Sequence, residues 1–379
     1  MTSETILTNA TLILPTEVVA GTLVIRGGRI ADVQPGRSHA PSATDLGGDH
    51  LMPGVVDVHT DNLERQVQPR LTARWPSRSA MLAHDAQCAS AGVTTVLDAL
   101  CLGDLGFSEA RIKTFRDAMV DLDALTGTGL LKSEHYLHLR CELPATDMMD
   151  LVDPVADHPL VRMVSLMDHS PGVGQYADMD RYWKLRRESG FTDEQIQSRI
   201  DVLSEQRARM RTPNRRALLK RVAHLDIELA SHDDRTEEEI AENIADGIRI
   251  SEFPVSMVAA NAARASGMEI IAGAPNIVRG GSHSGNIAAS DLVRAGRVDA
   301  FASDYVPAAL VESAWLCVAQ TGVSLPEAVG YITDKPARMS RLPDRGRLEP
   351  GLRADLVHVR VHEGHPVVMQ VWRGGERVA

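Results

Sequence analysis

Short runs of Val, Leu, Ile and Ala recur through the middle of the chain, and segments of helical composition lie between them. These runs have the length and composition of buried β-strands. They span residues 55–61, 94–100, 135–143, 161–169, 226–234, 250–254, 268–276 and 299–305. Eight strand–helix units predict an α/β fold, a distorted (β/α)8 TIM barrel over residues 51–340. A doubly wound open sheet is the alternative, but no GxGxxG motif follows the first strand to favour a dinucleotide fold.

The two ends of the chain carry a different pattern, in which short strands are separated by turns. Residues 1–50 include ILTNATLIL and GTLVIRGGRIADVQPG, and Gly27-Gly28 predicts a hairpin turn within the second segment. Residues 341–379 include ADLVHVRVHEG and VVMQVWRGGERVA. Because chain ends often lie close together, we expect both ends to build one small β-sandwich domain.

One segment, at about residues 181–221, is too long and too basic for a plain strand–helix connection. It holds 12 Lys and Arg residues against five Asp and Glu residues, a local charge of +7. A solvated helical hairpin would account for this composition. A basic lid that closes over an anionic substrate is the functional alternative.

Composition narrows the classes of protein that the chain can represent. The 379 residues have a net charge of −11, which argues against a nucleic-acid partner. No apolar run approaches the ~20 residues that a membrane span needs, and no basic segment precedes the first apolar run as in a signal peptide. The four cysteines form no CxxC pair, so we expect reduced thiols and a cytoplasmic protein. The oligomeric state stays open, with a homodimer among the options.

Imidazole and carboxylate groups stand at the ends of five of the predicted strands. Since active sites of TIM barrels lie at the carboxyl ends of the strands, these groups would converge at the barrel mouth. The candidates are His59, Asp61, Glu142, His169, His232 and Asp304. His59 and Asp61 are two residues apart and therefore share one face of their strand. Each residue alone could be structural, and Asp233 and Asp234 could cap the next helix.

Six such ligands are too many for one tetrahedral ion and suit two divalent ions. We expect His59, Asp61 and Asp304 to hold one ion and His169 and His232 the other, with Glu142 as the bridge. Zinc is favoured, and manganese, iron or cobalt would fit nearly as well. Water activated by two such ions can attack an electrophile at neutral pH, and Asp304 is the candidate general base.

Two long strings resemble signatures of the amidohydrolase superfamily. LMPGVVDVHTD resembles its first barrel strand, and GRLEPGLRADLVHV resembles its return into the small β-domain. The superfamily usually has His-x-His where this chain has His59-Thr60-Asp61. Many members bridge their metals with a carboxylated lysine, but no lysine stands at a predicted strand end here. Glu142 would have to take that place.

Further strings resemble the phosphonate-utilisation (PhnM-type) branch of that superfamily. They are HTDNLE, SAMLAHDA, HLRCELP, VSLMDHSPG, LASHDD, GAPNIVRGGSHSGN and SDYVPA. The resemblance implies a hydrolase of phosphorus anhydrides that cleaves α-D-ribose 1-methylphosphonate 5-triphosphate. Its products would be the 5-phosphate and pyrophosphate, in the carbon–phosphorus lyase pathway of phosphonate degradation.

A sugar triphosphate requires cationic groups and N–H donors near the metals. The candidates are Arg70, Arg74, Arg140, Arg279, Ser282, His283 and Ser284. A ring-opening amidohydrolase or a deaminase acting on a cyclic amide is the alternative, but it would not need the arginine- and glycine-rich loop at 279–286. A metal-free scaffold protein is a third hypothesis, and retention of all six ligand candidates argues against it.

Overall fold

The computed structural model describes residues 4–70, 72–105, 109–282 and 285–379. Its strands belong to two sheets, one built from the ends of the chain and one from its middle. In chain order the strands are β1 (Glu4–Ile13), β2 (Val18–Arg26), β3 (Arg29–Pro35), β4 (Thr44–Asp45), β5 (His50–Pro53), β6 (Val55–Thr60), β7 (Val93–Leu102), β8 (Glu134–Glu142), β9 (Val161–Met167), β10 (Glu228–His232), β11 (Ile250–Glu252), β12 (Glu269–Gly273), β13 (Ala300–Ala302), β14 (Leu356–His362), β15 (His365–Arg373) and β16 (Glu376–Arg377).

The sheet from the chain ends has the order β16-β15-β14-β5-β1-β2-β3, with β4 beside β1. Strand β14 pairs antiparallel with β5, so the two ends of the chain meet in the middle of this sheet. The expected hairpin between β2 and β3 is present, and Gly27 and Gly28 have φ angles of 56° and 77°. Its two-residue turn requires positive φ at both positions, which glycine adopts without strain. The sheet has its own apolar core around Leu12, Leu23 and Trp372.

The second sheet is the predicted barrel. Strands β6 to β13 pair in parallel in their order along the chain, and every residue of β7 is buried. Burial on both faces explains why many of these segments are rich in apolar residues at successive positions. The barrel closes between its first and eighth strands. The Asp304 N–H donates to the His59 carbonyl at 3.0 Å, and the Asp61 N–H donates to the Asp304 carbonyl at 2.7 Å.

The helices cover the outside of the barrel and bury one apolar layer against it. They are α1 (Asn62–Val67), α2 (Ser77–Ser90), α3 (Glu109–Leu125), α4 (Met148–Val152), α5 (Met179–Glu188), α6 (Asp193–Val222), α7 (Glu237–Ala245), α8 (Met257–Ala265), α9 (Ala274–Arg279), α10 (Ala289–Arg294), α11 (Ala309–Thr321), α12 (Leu325–Gly330) and α13 (Asp334–Met339), with a 3₁₀ turn at Gly174–Tyr176. None of the described helices is both long enough and apolar enough to span a membrane.

The basic segment at about 181–221 forms most of α5 and α6. Helix α6 begins with a capping box, in which Thr192 and Gln195 satisfy each other's backbone N–H groups. Acidic residues of the barrel neutralise much of its charge: Arg207 lies 2.6 Å from Asp168, and Arg215 lies 2.6 Å from Asp246. Helix α6 is therefore fastened to the side of the barrel, while α5 reaches its mouth through Arg186.

Candidate active site

A cavity of about 620 Å³ opens at the carboxyl ends of the barrel strands. Its size falls in the range of small-molecule sites. Nine of the residues predicted from the sequence line it: His59, Asp61, Arg140, Glu142, His169, His232, Arg279, Ser282 and Asp304. Arg70 and Arg74 lie outside this lining, and Arg74 pairs with Asp117 of α3 at 2.9 Å. His283 and Ser284 fall outside the described residues.

Three residues directly beyond strand ends have left-handed backbone conformations. Asp233, Phe253 and Asp304 have φ angles of 58°, 54° and 56°. A non-glycine residue in this region costs roughly 1–2 kcal/mol. All three residues line the cavity. The backbone is therefore locally strained at the positions that place these side chains at the barrel mouth.

A buried carboxylate links two of the predicted histidines. Glu252 accepts hydrogen bonds from Nδ1 of His59 and from Nδ1 of His232, each at 2.7 Å. Burial alone would raise the pKa of Glu252, but the imidazoles of His59 and His138 and the two hydrogen bonds hold it well below its ordinary value. The proton of each ring is thereby fixed on Nδ1, which leaves the lone pair on Nε2.

His169 is oriented in the same way by Glu142. One oxygen of Glu142 accepts from the His169 backbone N–H at 2.8 Å, and the other accepts from His169 Nδ1 at 2.7 Å. Glu142 was expected to bridge the two metal ions, but in this structure both of its carboxylate oxygens contact His169. Asp233 lies beyond the ring: its Oδ2 is 3.8 Å from Nε2 of both His169 and His232.

The donor atoms of this cluster fit a metal ion. His59 Nε2 and Asp233 Oδ2 are buried, and neither has a hydrogen-bond partner among the described residues. Buried polar atoms in proteins are nearly always satisfied. Burial also lowers the pKa of His59 and favours its neutral, ligating form. Imidazole nitrogen and carboxylate oxygen are the ligands that Zn²⁺ and similar divalent ions take.

Asp61, Asp304 and Arg140 form the neighbouring part of the cavity. Burial, and next the Asp61 carboxylate, raise the pKa of Asp304 to about 7. Nη1 of Arg140 lies 3.6 Å from Asp61 Oδ2. The Arg140 side chain is 8% exposed, yet its Nε and Nη1 atoms have no hydrogen-bond partner in the described part of the chain. A buried guanidinium with unused donors is suited to an anion that enters the cavity.

Sequence reasoning missed several residues that line or support the cavity. Glu252 lies in the middle of the predicted sixth strand but at the end of the observed strand β11, which stops two residues earlier than predicted. Asp233 was considered only as a possible cap of the next helix, and the cap of α7 is Thr236. Arg111 and Arg186 lie on helices beyond strand ends. No strand-end pattern could reveal them.

A second group of buried ligand-type side chains lies outside the cavity. Asp98 accepts from Nε2 of His84 and from Nδ1 of His135, each at 2.8 Å. Nε2 of His135 donates to Asp85 at 3.1 Å. These ring nitrogens and Asp98 oxygens all have hydrogen-bond partners. The group therefore forms a closed polar network between α2 and the barrel.

This network makes stability depend on pH. The pKa of His135 is raised to about 9 because Asp98 and Asp85 outweigh the effect of burial. Protonated His135 contributes roughly 3 kcal/mol to the free energy of unfolding. This contribution is fully present below the unfolded-state pKa of about 6.5 and is lost as pH rises through about 9. We expect urea unfolding of metal-loaded protein to show this loss between pH 6 and 10. His135→Gln should flatten the decline, whereas the surface variant His158→Gln should retain it. Parallel curves for all three proteins would contradict the assignment.

The fold and the histidine–carboxylate cluster define a barrel hydrolase of the metal-binding type, and solved structures, among them an amidohydrolase, share the fold. N-acetyl-D-glucosamine-6-phosphate deacetylase from Mycobacterium smegmatis is 17% identical with a TM-score of 0.65, and covers 100% of both chains. Dihydropyrimidinase from Brevibacillus agri is 12% identical with a TM-score of 0.65, over 99% of this chain and 95% of that one.

A relative of known activity shows to which family of proteins this chain belongs. Alpha-D-ribose 1-methylphosphonate 5-triphosphate diphosphatase of Escherichia coli K12 is 40% identical over 376 residues, which is 98% of this chain and 100% of the relative. The chain therefore belongs to the family of this diphosphatase. No protein-family model matches the chain.

Proposed function

We propose that the protein hydrolyses α-D-ribose 1-methylphosphonate 5-triphosphate to the 5-phosphate and pyrophosphate, in the carbon–phosphorus lyase pathway. Full-length identity of 40% to the diphosphatase of E. coli carries this proposal. The cavity supports it, because Arg111, Arg140, Arg186 and Arg279 all line it. Four arginines suit a polyanion and would have no evident task with a neutral cyclic amide. The four unpaired cysteines suit the cytoplasm, which we propose as its location.

Two divalent ions, with zinc favoured, are part of the proposal. Nε2 of His59, His169 and His232 would hold them together with Asp233, and Asp61 and Asp304 would complete the set. Such ions supply Lewis acidity and lower the pKa of water. Glu252 and Glu142 keep the ring protons on Nδ1 and so orient the histidines.

The protein's own side chains perform the remaining steps. A carboxyl group that titrates near neutral pH, such as Asp304, can accept the proton of the attacking water. As the anhydride bond breaks, negative charge grows on the departing pyrophosphate. The donors of Arg140 lie beside Asp61 and can stabilise that charge.

Phosphorus NMR tests the proposal directly. We expect metal-supplemented protein to convert the ribose methylphosphonate triphosphate to a 5-phosphate and pyrophosphate, while ATP in a parallel tube shows selectivity. Dialysis against a chelator should abolish turnover, and added Zn²⁺ or Mn²⁺ should restore it. If protein verified to contain metal leaves phosphorus signals unchanged but opens dihydrouracil or hydantoin, the ring-amidohydrolase alternative is correct.

A further inference from the structure

The cationic side chains of the cavity lie on two sides of the histidine cluster. Arg140 belongs to β8, the third strand of the barrel, and Arg111 belongs to the helix after the second. Arg279 ends the helix after β12, the seventh strand. In a closed barrel of eight strands in sequential order, the third and seventh strands face each other across the axis. The histidines and Asp304 lie at the mouth between these two sides.

The side near the second to fourth strands carries most of the positive charge. Arg140 is buried there, and its Nε and Nη1 atoms donate no hydrogen bond among the described residues, although Nη1 lies 3.6 Å from Asp61 Oδ2. Arg111 is 43% exposed and pairs with Glu64 at 3.0 Å. Arg186 of α5 lies over the rings of Tyr176 and Tyr182, at 5.6 and 4.9 Å from their centres. Tyr176 in turn packs edge-on against His169. These contacts hold Arg186 beside the histidine cluster.

Of the described arginines that line the cavity, only Arg279 lies on the side near the seventh strand, and the Arg181 guanidinium of α5 lies close to Gly285 in the same loop. Arg279 is exposed to the cavity and has no ion pair or hydrogen bond within the described residues. Gly280 follows it in a left-handed conformation that ends α9. The Asn276 side chain bonds the Ile287 carbonyl at 3.3 Å and the Ala289 N–H at 3.0 Å. Asn276 thus ties α9 to the far end of the loop and fixes the place from which Arg279 extends.

The proposed substrate is anionic at both ends, with a triphosphate at C5 and a singly charged methylphosphonate at C1. We propose that the side of Arg111, Arg140 and Arg186 binds the triphosphate and that Arg279 binds the C1 methylphosphonate. This assignment rests on the proposed function. It matches the larger charge to three cavity-lining arginines and the smaller charge to one. It also predicts weaker binding of nucleotides, whose base at C1 is neutral.

A comparison of two substrates can distinguish the proposed roles of the two sides of the cavity. The first is the ribose methylphosphonate triphosphate, and the second is methyl ribofuranoside 5-triphosphate, in which a neutral methoxy group replaces the phosphonate. Loss of a charge-assisted hydrogen bond costs about 1.5–3 kcal/mol, or roughly 10-fold or more in affinity. We expect Arg279→Gln to raise KM for the first substrate roughly 10-fold with little change in kcat, and to leave KM for the second unchanged.

The opposite side should respond differently. Arg186→Gln should raise KM for both substrates by similar factors. Two matched controls, Arg187→Gln and Arg294→Gln, remove exposed arginines that pair with Asp193 and Asp291 and should change neither. Equal effects of Arg279→Gln on both substrates, or no effect on either, would overturn the assignment. Failure of the wild-type, metal-loaded protein to release pyrophosphate from either substrate would instead reject the proposed function.

Discussion

Replacement of Asp304 by asparagine is expected to lower kcat by roughly 10³-fold, within the range typical of a lost general base. The pKa of this carboxyl is raised to about 7 by burial and by Asp61, so it can exchange a proton near neutral pH. An amide cannot accept that proton. The variant should fold normally, because the bonds that close the barrel here come from the backbone N–H and carbonyl of Asp304.

Steady-state release of pyrophosphate measures this effect. Circular dichroism and metal analysis of the same preparation separate it from unfolding or loss of metal. Asp291→Asn is a suitable control, because Asp291 is an exposed acid that pairs with Arg294. Activity of Asp304→Asn near that of the wild type would remove Asp304 as the base.

Glu252→Gln is expected to weaken metal binding by roughly 10- to 100-fold, the usual effect of removing a carboxylate that orients ligating histidines. The carboxylate accepts one hydrogen bond from His59 and one from His232. The single oxygen of an amide cannot replace two acceptor oxygens, and its NH2 group would face an N–H donor. One ring would therefore rotate or carry its proton on the wrong nitrogen.

Competition with a chromophoric chelator gives the metal affinity of Glu252→Gln and of the wild type. Glu269→Gln is the matched control, because Glu269 lies on the next strand at its amino end and away from the cavity. Unchanged metal affinity in Glu252→Gln would show that the histidines hold their orientation without this carboxylate.

The barrel could be predicted from sequence because most of its strand residues are buried and many of the strands are therefore rich in apolar residues. The strand-end rule then located His59, Asp61, His169, His232 and Asp304 without any coordinates. These residues line one cavity because the carboxyl ends of parallel strands share one edge; their roles stay a prediction. A residue that stands at the carboxyl end of a strand can therefore be assigned to the barrel mouth from the sequence alone.

Other features depend on side-chain directions and on long connections. Sequence alone could not show that both oxygens of Glu142 contact His169, because this depends on rotamers across two strands. Arg74 seemed close enough to reach the phosphates, yet Asp117 of α3 binds it. Arg186 reaches the mouth because Tyr176 and Tyr182 pack beneath it. Tertiary contacts of this kind decide which arginines reach the cavity, and the position of an arginine along the chain does not show them.

The pairing of β5 with β14 has a consequence for the order in which the protein can assemble during synthesis. Strand β5 leads through Gly54 directly into β6, and the Gly54 N–H donates to the Asp355 carbonyl at 2.7 Å. A side chain at position 54 would collide with Thr94 and Asp355, so this junction is tightly packed. The first barrel strand is thus anchored by residues that the ribosome adds some three hundred positions later. A nascent chain that already contains all eight barrel strands still lacks this anchor, so the junction between the two sheets forms only after β14 has emerged.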